Sequence, residues 1–298
     1  VLNVKAHMRI RTILLQGSSV KSLTFLGDMF DGVQCPCILL QLVATGKPLS
    51  TVGMRIEDRT RTFIIAMERT VVPENFSFRM TDEEYRVLEK IKNSIPVCYL
   101  ADYADFALGI VTGNNKKFLS AEKTEHSEMV LKGTDICKYH INPAKQYLRF
   151  EPEQFQQVAP LEIYRAPEKL LYRFISNQLV VAYDDRQMLS LNSCNIVIPK
   201  IEGMQIKYIL AILNSSVSQF VYQKEFHSIK VLRAHMEHIP IPRVGKAIQN
   251  EIIAMTEPLI CGMGKEAAET CQKRLDCRIM DLFRLSAEEQ WIIRHALH

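Results

Sequence analysis

Two asparagines and two lysines, Asn114-Asn115-Lys116-Lys117, stand directly after Thr112-Gly113. An asparagine can grip an adenine edge by two hydrogen bonds, and a lysine pairs with phosphate or guanine. Gly and Asn also tolerate positive φ, so a tight turn accounts for the same residues without any ligand. A second polar group, Arg173, Ser190, Asn192, Ser193 and Asn195, crowds a stretch that otherwise reads as strand, from Lys169 to Pro199. Turns and strand ends explain such crowding, as does a sheet edge that meets something polar. His227, Ser228, Lys230 and Arg233 make a third group, which by composition alone is a solvated strand edge. Phe30 sits among Asp28, Asp31 and Gly32, and an aromatic at a polar turn ordinarily covers a core.

The elements that must hold these groups follow from periodicity. Gln178 to Tyr183 is β-branched and aromatic, Asn195 to Ile198 alternates into Pro199, and Asp184-Asp185 between them is turn chemistry. Leu170, Tyr172 and Phe174 share one strand face, and Leu171, Arg173 and Ile175 the other. Phe106 to Val111 predicts the strand that delivers the Asn-Lys loop, and Lys132-Gly133-Thr134-Asp135 predicts a strand-joining turn. Gln205 to Tyr222 predicts a helix with Ile209, Ile212, Leu213 and Phe220 inward. Its Asn214-Ser215-Ser216 is poor helix chemistry, so a break or polar contact is expected there. Ala247 to His298 predicts two helices, the second capped near Ser286.

Nearer the amino end, Ala6 to Gln16 predicts a short helix stopped at Gly17, with Arg9 and Arg11 as solvated or helix-end charges. Val20–Leu26 and Cys37–Val43 predict strands joined through Gly27 to Gln34, and Thr51–Ile56 with Thr62–Met67 predict a hairpin. Thr81 to Asn93 is the clearest helix: Thr81-x-x-Glu84 is a capping box, and Tyr85, Leu88 and Ile91 make one apolar stripe.

Four stretches in this order carry a family resemblance: GIVTGNNKKFL (Gly109 to Leu119), LKGTDICKY (Leu131 to Tyr139), the Lys169–Pro199 stretch, and Ile209 to Pro242. Together they resemble the TaqI-like C-terminal specificity domain, the target-recognition module of type II restriction–modification methyltransferases acting on adenine. Ile279 to Ile293 resembles the helix that ends many such proteins. LGDMFDGVQCPCILLQL (Leu26 to Leu42) is similar to the last hairpin of the methyltransferase domain in the same family, where an aromatic stacks on the flipped-out adenine; the matching position is Phe30. The resemblance implies double-stranded DNA as partner. It also implies a DNA-facing role for the segment holding His227, Lys230 and Arg233. The implied contact set is Asn114, Asn115, Lys116, Lys117, Arg173, Asn192, Ser193, His227, Lys230 and Arg233. No Phe-x-Gly-x-Gly loop and no Asn-Pro-Pro-Tyr tetrapeptide occurs. S-adenosylmethionine is therefore expected to bind an upstream catalytic portion, and the chain is expected to be inactive alone.

Composition bounds the rest. With 298 residues, 47% hydrophobic and 23% charged, the chain suits one large or two ordinary globular domains. A net charge of +4 permits nucleic-acid contact without demonstrating it. Eight cysteines without paired spacing suggest reduced thiols in a cytoplasm, and the resemblance implies a bacterial one. No apolar run is long enough for a membrane span. No metal site is expected: Cys35-Pro-Cys37 is too tight for a zinc knuckle, and His235-x-x-His238 lacks the glutamate of the protease arrangement. Gly262-x-Gly264-x-x-Ala267 has the letters of a dinucleotide loop without the preceding strand. No Asp-x-Lys or Glu-x-Lys of a magnesium nuclease occurs.

The expected fold is α+β: residues 1–69 as the end of a Rossmann-like methyltransferase sheet, 70–100 as a linker with a bridging helix, 101–245 as a mixed, twisted-sheet recognition domain, and 246–298 as C-terminal helices. An uncovered sheet edge in the first part would favour dimerisation. A protein-interaction or scaffold module descended from such an enzyme, no longer binding DNA, remains the alternative.

Overall fold

The computed structural model describes residues 7–32, 36–73, 76, 78–226 and 228–297. The chain forms two compact units, residues 1–89 with 224–226, and residues 90–223 with 227–298. The fold is α+β, with several twisted sheets and a helical C-terminal part.

In the first unit, α1 (Met8–Gly17) leads into β1 (Ser18–Asp28), which pairs antiparallel with β2 (Pro36–Ala44). β3 (Arg55–Glu57) lies parallel to β1 on its other side and turns back into β4 (Thr62–Ile64), giving the order β2-β1-β3-β4. Asp58 makes the β3–β4 turn by accepting from the Thr60 and Arg61 amides. Leu14, Leu23, Met54, Ile56, Phe76 and Phe78 fill the core below the sheet. Arg11 is not a solvated charge. It is 1% exposed, with its guanidinium donating to the Pro73 carbonyl; burial is tolerated because a carbonyl takes the donor.

α2 (Asp82–Asn93) starts on the expected capping box: the Thr81 amide donates to Glu84 Oε2 at 2.9 Å and the Glu84 amide to Thr81 Oγ1 at 3.3 Å. Tyr85, Leu88 and Ile91 are buried, as their spacing requires. Burial works to raise the Glu84 carboxyl, but hydrogen bonds from Arg61 and Lys224 outweigh it and hold it below the usual range.

The second unit opens with β5 (Val97–Cys98) and β6 (Ala104–Ala107), followed by α3 (Asn115–Phe118), β7 (Leu119–Ser120), β8 (Glu128–Leu131) and β9 (Tyr147–Leu148). α4 (Leu161–Tyr164) precedes β10 (Lys169–Arg173), β11 (Val181–Asp184), β12 (Leu189–Ser190) and β13 (Cys194–Pro199). The main sheet runs β11-β10-β13-β6 and is antiparallel throughout; a smaller sheet runs β12-β8-β9-β7. Ile110, Leu131, Leu171, Ala182, Leu191 and Ile196 belong to one buried cluster. Within the sheet, Lys169 and Asp184 form an ion pair at 2.5 Å with both side chains 0% exposed. Asp184 also accepts from the Arg186 and Met188 amides, which is how a charge is kept inside.

The expected Gln205–Tyr222 helix is two helices, α5 (Ile206–Asn214) and α6 (Ser216–Glu225), broken where Asn214-Ser215-Ser216 predicts. Asn214 uses its amide to extend the sheet: it accepts from the Val181 amide at 3.0 Å and donates to the Val181 carbonyl at 2.8 Å. Then follow α7 (Arg233–Met236), β14 (Ile241–Pro242), α8 (Lys246–Cys261), α9 (Lys265–Leu282) and α10 (Ala287–Ala296). The C-terminal part therefore holds three helices where two are expected. Gly262, at φ 79°, turns the chain between α8 and α9; the glycine pair is a helix break, not a phosphate loop. Among the described residues no helix is long and apolar enough to cross a membrane.

Candidate functional site

The register of the main sheet decides which loops meet. Arg173 at the end of β10 pairs with Cys194 at the start of β13, and Ile196 pairs with Ala107 at the end of β6. Three connections therefore leave the sheet at one end: residues 108–118 after β6, 174–176 after β10, and 190–193 before β13. Backbone bonds tie them together. The Asn192 amide donates to the Ile110 carbonyl at 3.1 Å, the Phe174 amide to the Ser193 carbonyl at 3.0 Å, and the Val231 amide to the Phe174 carbonyl at 2.8 Å. The last bond brings in residues 228–231, which form a short ladder with 174–176 through the Ile175–Lys230 bridge. Asn192, Ser193 and Lys230 thus collect at one end of one sheet, and Asn114 to Lys117 lie further along the connection that leaves that end after β6.

In the first loop, Gly113 takes φ 76° and Asn114 caps α3, accepting from the Lys117 amide at 3.2 Å. Asn115 Oδ1 accepts from the Thr112 hydroxyl at 2.6 Å. Both carbonyl ends are committed to ordering the loop, and a two-bond grip on adenine needs that carbonyl. What the loop offers outward is amide donors and two exposed ammonium groups, Lys116 and Lys117, the latter 4.6 Å from the Phe118 ring.

The second turn is divided in use. Asn192 is exposed, while Ser193 Oγ accepts from the Gly133 amide at 3.0 Å. Asn195 is buried and accepts from the Gly109 amide at 3.3 Å. Beside it the buried Tyr172 hydroxyl is pushed up to about 12, by burial above all, against a hydrogen bond with Asn195 that pulls the other way. Gly109 passes so close to this turn that a Cβ there would stand 2.1 Å from the Leu191 carbonyl oxygen. That approach ends β6 at Ala107, short of the expected Val111.

Arg173 points inward. Its Nε donates to the Gly133 carbonyl at 2.9 Å and a terminal nitrogen to the Ile136 carbonyl at 2.5 Å. Arg233 is exposed but pairs with Glu237 at 2.7 Å and covers the Phe106 ring at 5.1 Å, beside a cavity of about 560 Å³ along β6. Lys230 is exposed, 5.9 Å from the Phe174 ring. His227 lies outside the described residues.

Two residues that sequence reasoning passes over stand at the ladder tip: Ile175 is 61% exposed and Ile229 62%. Each looks like an ordinary strand residue in its own segment, and only the pairing of two distant segments reveals the apolar tip. In the first unit, Phe30 is 63% exposed on the β1–β2 connection, next to the exposed Met29, so it covers no core within that unit. Residues 33–35 of that connection are outside the described residues.

His235 is buried and held neutral: burial, helped by His238, pulls it down to about 4, and its Nδ1 accepts from the Leu232 amide at 3.2 Å. Among the described residues no three or more His, Cys, Asp or Glu side chains gather as a metal site would need.

Comparison with known proteins agrees with this architecture. No curated protein matches the sequence. The structure of the type IIL restriction–modification enzyme MmeI in complex with DNA superposes with a TM-score of 0.58 at 10% identity, over 99% of this chain and 47% of that one. The type IIG restriction endonuclease BpuSI gives 0.39 at 10% identity, over 94% of this chain and 45% of that one. The HsdS subunit from Thermoanaerobacter tengcongensis gives 0.36 at 13% identity, over 72% and 50%. The chain spans about half the length of the solved structures it matches, 47% of the first. A family model described as the TaqI-like C-terminal specificity domain matches residues 128–241. The matched residues hold the β10–β13 sheet strands and the 190–193 and 228–231 loops, so the likeness to the TaqI-like C-terminal specificity domain falls on the part of the chain that builds the sheet end.

Proposed function

We propose that this chain is the target-recognition portion of a restriction–modification enzyme, and that it binds double-stranded DNA through the loops gathered at one end of its main sheet. The observation that carries this reading is the convergence of Asn192 and Lys230 with the exposed Ile175–Ile229 tip at that end, which the connection carrying Asn114–Lys117 also leaves. Lys116, Lys117 and Lys230 supply phosphate contacts, and Asn192 is the polar side chain free to meet a base edge. Ile175 and Ile229 are the apolar wedge that such binders press between base steps. Arg173 and Ser193 hold the loops in place. Arg233, already paired with Glu237, contributes less than the lysines.

The finer reading is an adenine-specific enzyme that uses S-adenosylmethionine, with residues 1–69 as the end of its catalytic domain and Phe30 as the platform for the extruded base. The exposure of Phe30 supports it. The Phe-x-Gly-x-Gly loop and Asn-Pro-Pro-Tyr tetrapeptide are absent from this sequence, so on this reading the methyl donor is held by another portion of the enzyme.

The inward commitment of Arg173 and the Arg233–Glu237 pairing favour the second reading, a scaffold without DNA binding, by turning one cation inward and neutralising another. A gel shift with random-sequence duplex at low salt separates the two. Retarded DNA supports recognition, and free DNA at micromolar protein supports the scaffold.

A further inference from the structure

Beside the β10–β11 hairpin, a cavity of about 560 Å³ opens among α6, α9 and α10, within the range of small-molecule sites, about 300–1,000 Å³. Three cations line it, Lys138, Lys273 and Arg294, against one carboxylate, Asp276. Asp276 is largely spent already: it caps α6, accepting from the Ser216 amide at 2.9 Å and the Ser216 hydroxyl at 2.8 Å, and its charge offsets part of the burial of Lys138. Lys138 is half-buried, with its ammonium on the Asn214 carbonyl at 3.1 Å. Burial pulls this ammonium below its ordinary range in spite of the Asp276 charge, and a further anion beside it would offset that cost.

The observation that points to a ligand is Gln219, which lines the cavity and is 5% exposed. Its Oε1 accepts from the Leu179 amide at 2.9 Å, while its Nε2 is buried without a hydrogen-bond partner. A buried donor left unmade is costly and calls for an acceptor. Leu297 and the lysine stems add apolar wall.

We propose that this cavity binds a phosphate group, with Gln219 Nε2 donating to it and Lys138, Lys273 and Arg294 neutralising it. The phosphate belongs either to a nucleotide free in solution or to a DNA backbone; the chemistry is shared, and the site shares no lining residue with the proposed DNA contacts. It stands whether or not those loops bind DNA.

The test titrates the full chain with adenosine 5′-monophosphate, inorganic phosphate and adenosine, by calorimetry. Maleimide labelling of Cys277, an exposed thiol on the cavity wall, read by peptide mass, reports where they bind. The monophosphate and phosphate bind saturably and slow Cys277 labelling, and adenosine does neither. The double variant Lys273→Gln, Arg294→Gln weakens phosphate binding by about tenfold or more. A duplex that displaces the monophosphate and protects Cys277 assigns the phosphate to DNA; monophosphate binding that a duplex leaves undisturbed assigns it to a free nucleotide. No binding by phosphate, monophosphate or duplex, with Cys277 labelled at one rate throughout, overturns the proposal and leaves Gln219 bonded to water only. Binding unchanged in the double variant overturns it as well.

Discussion

Arg173 donates to the Gly133 carbonyl at 2.9 Å, and Gly133 in turn donates to Ser193 at 3.0 Å. A Cβ on Gly133 would stand 2.5 Å from the Ser193 carbonyl oxygen. The three residues form a joint between the turn after β8 and the turn before β13. Two of them carry the composition of a DNA contact and are spent on holding the surface in shape. Gly133→Ala is therefore expected to destabilise the chain by about 1–3 kcal/mol through overpacking against backbone. Arg173→Met is expected to cost about 2–4 kcal/mol, since charge-assisted bonds to two carbonyls are lost. Urea denaturation midpoints check both, and an unchanged midpoint for either removes the joint.

Phe30 is expected to behave in the opposite way. At 63% exposure, Phe30→Ala should change stability by no more than about 0.5 kcal/mol. A loss of about 3 kcal/mol or more would mean that it covers a core after all.

The Ile175–Ile229 tip predicts an effect on affinity without an effect on charge. Ile175→Ser with Ile229→Ser should weaken duplex binding by about tenfold, leave the salt dependence of binding unaltered, and leave stability within about 0.5 kcal/mol. Fluorescence anisotropy over a salt series reads the first two quantities, and thermal unfolding the third.

His235 sets a pH dependence. Its folded value of about 4 lies below the ordinary 6.5, so between them the unfolded chain binds more protons. Stability contributed by neutral His235 is full above pH ~6.5 and is lost as pH falls toward ~4, by about 3 kcal/mol. Titrating carboxylates act over part of the same range, so the comparison is with His235→Asn, whose loss of stability from pH 7 to pH 4 should be smaller by that amount. Equal losses in both proteins would contradict a neutral, buried His235.

Local chemistry made much of the fold legible. The Thr81–Glu84 capping box, the β1–β2 strands and the break at Asn214-Ser215-Ser216 rest on short-range rules, and they hold. What stayed hidden depends on contacts between distant segments. Nothing near Arg11 in sequence announces the Pro73 carbonyl, 62 positions away, that lets it be buried. The same is true of the candidate site. Residue type marked Lys116, Lys117 and Lys230, which are exposed, and marked Arg173 and Ser193 equally, which are engaged inside. Asn114 and Asn115 are exposed yet have spent their carbonyls on the loop. Composition gives the groups that could touch a ligand, and sheet register decides which still can.

The most direct test of the central claim is the salt dependence of duplex binding by the chain and by its Lys116→Gln, Lys117→Gln, Lys230→Gln variant. The account predicts that affinity falls linearly in log–log form between about 50 and about 200 mM salt, and that the variant's slope is shallower by about 0.9 for each phosphate contact removed. Duplex binding with the same slope in both proteins, or none by the parent chain at low salt, would contradict it.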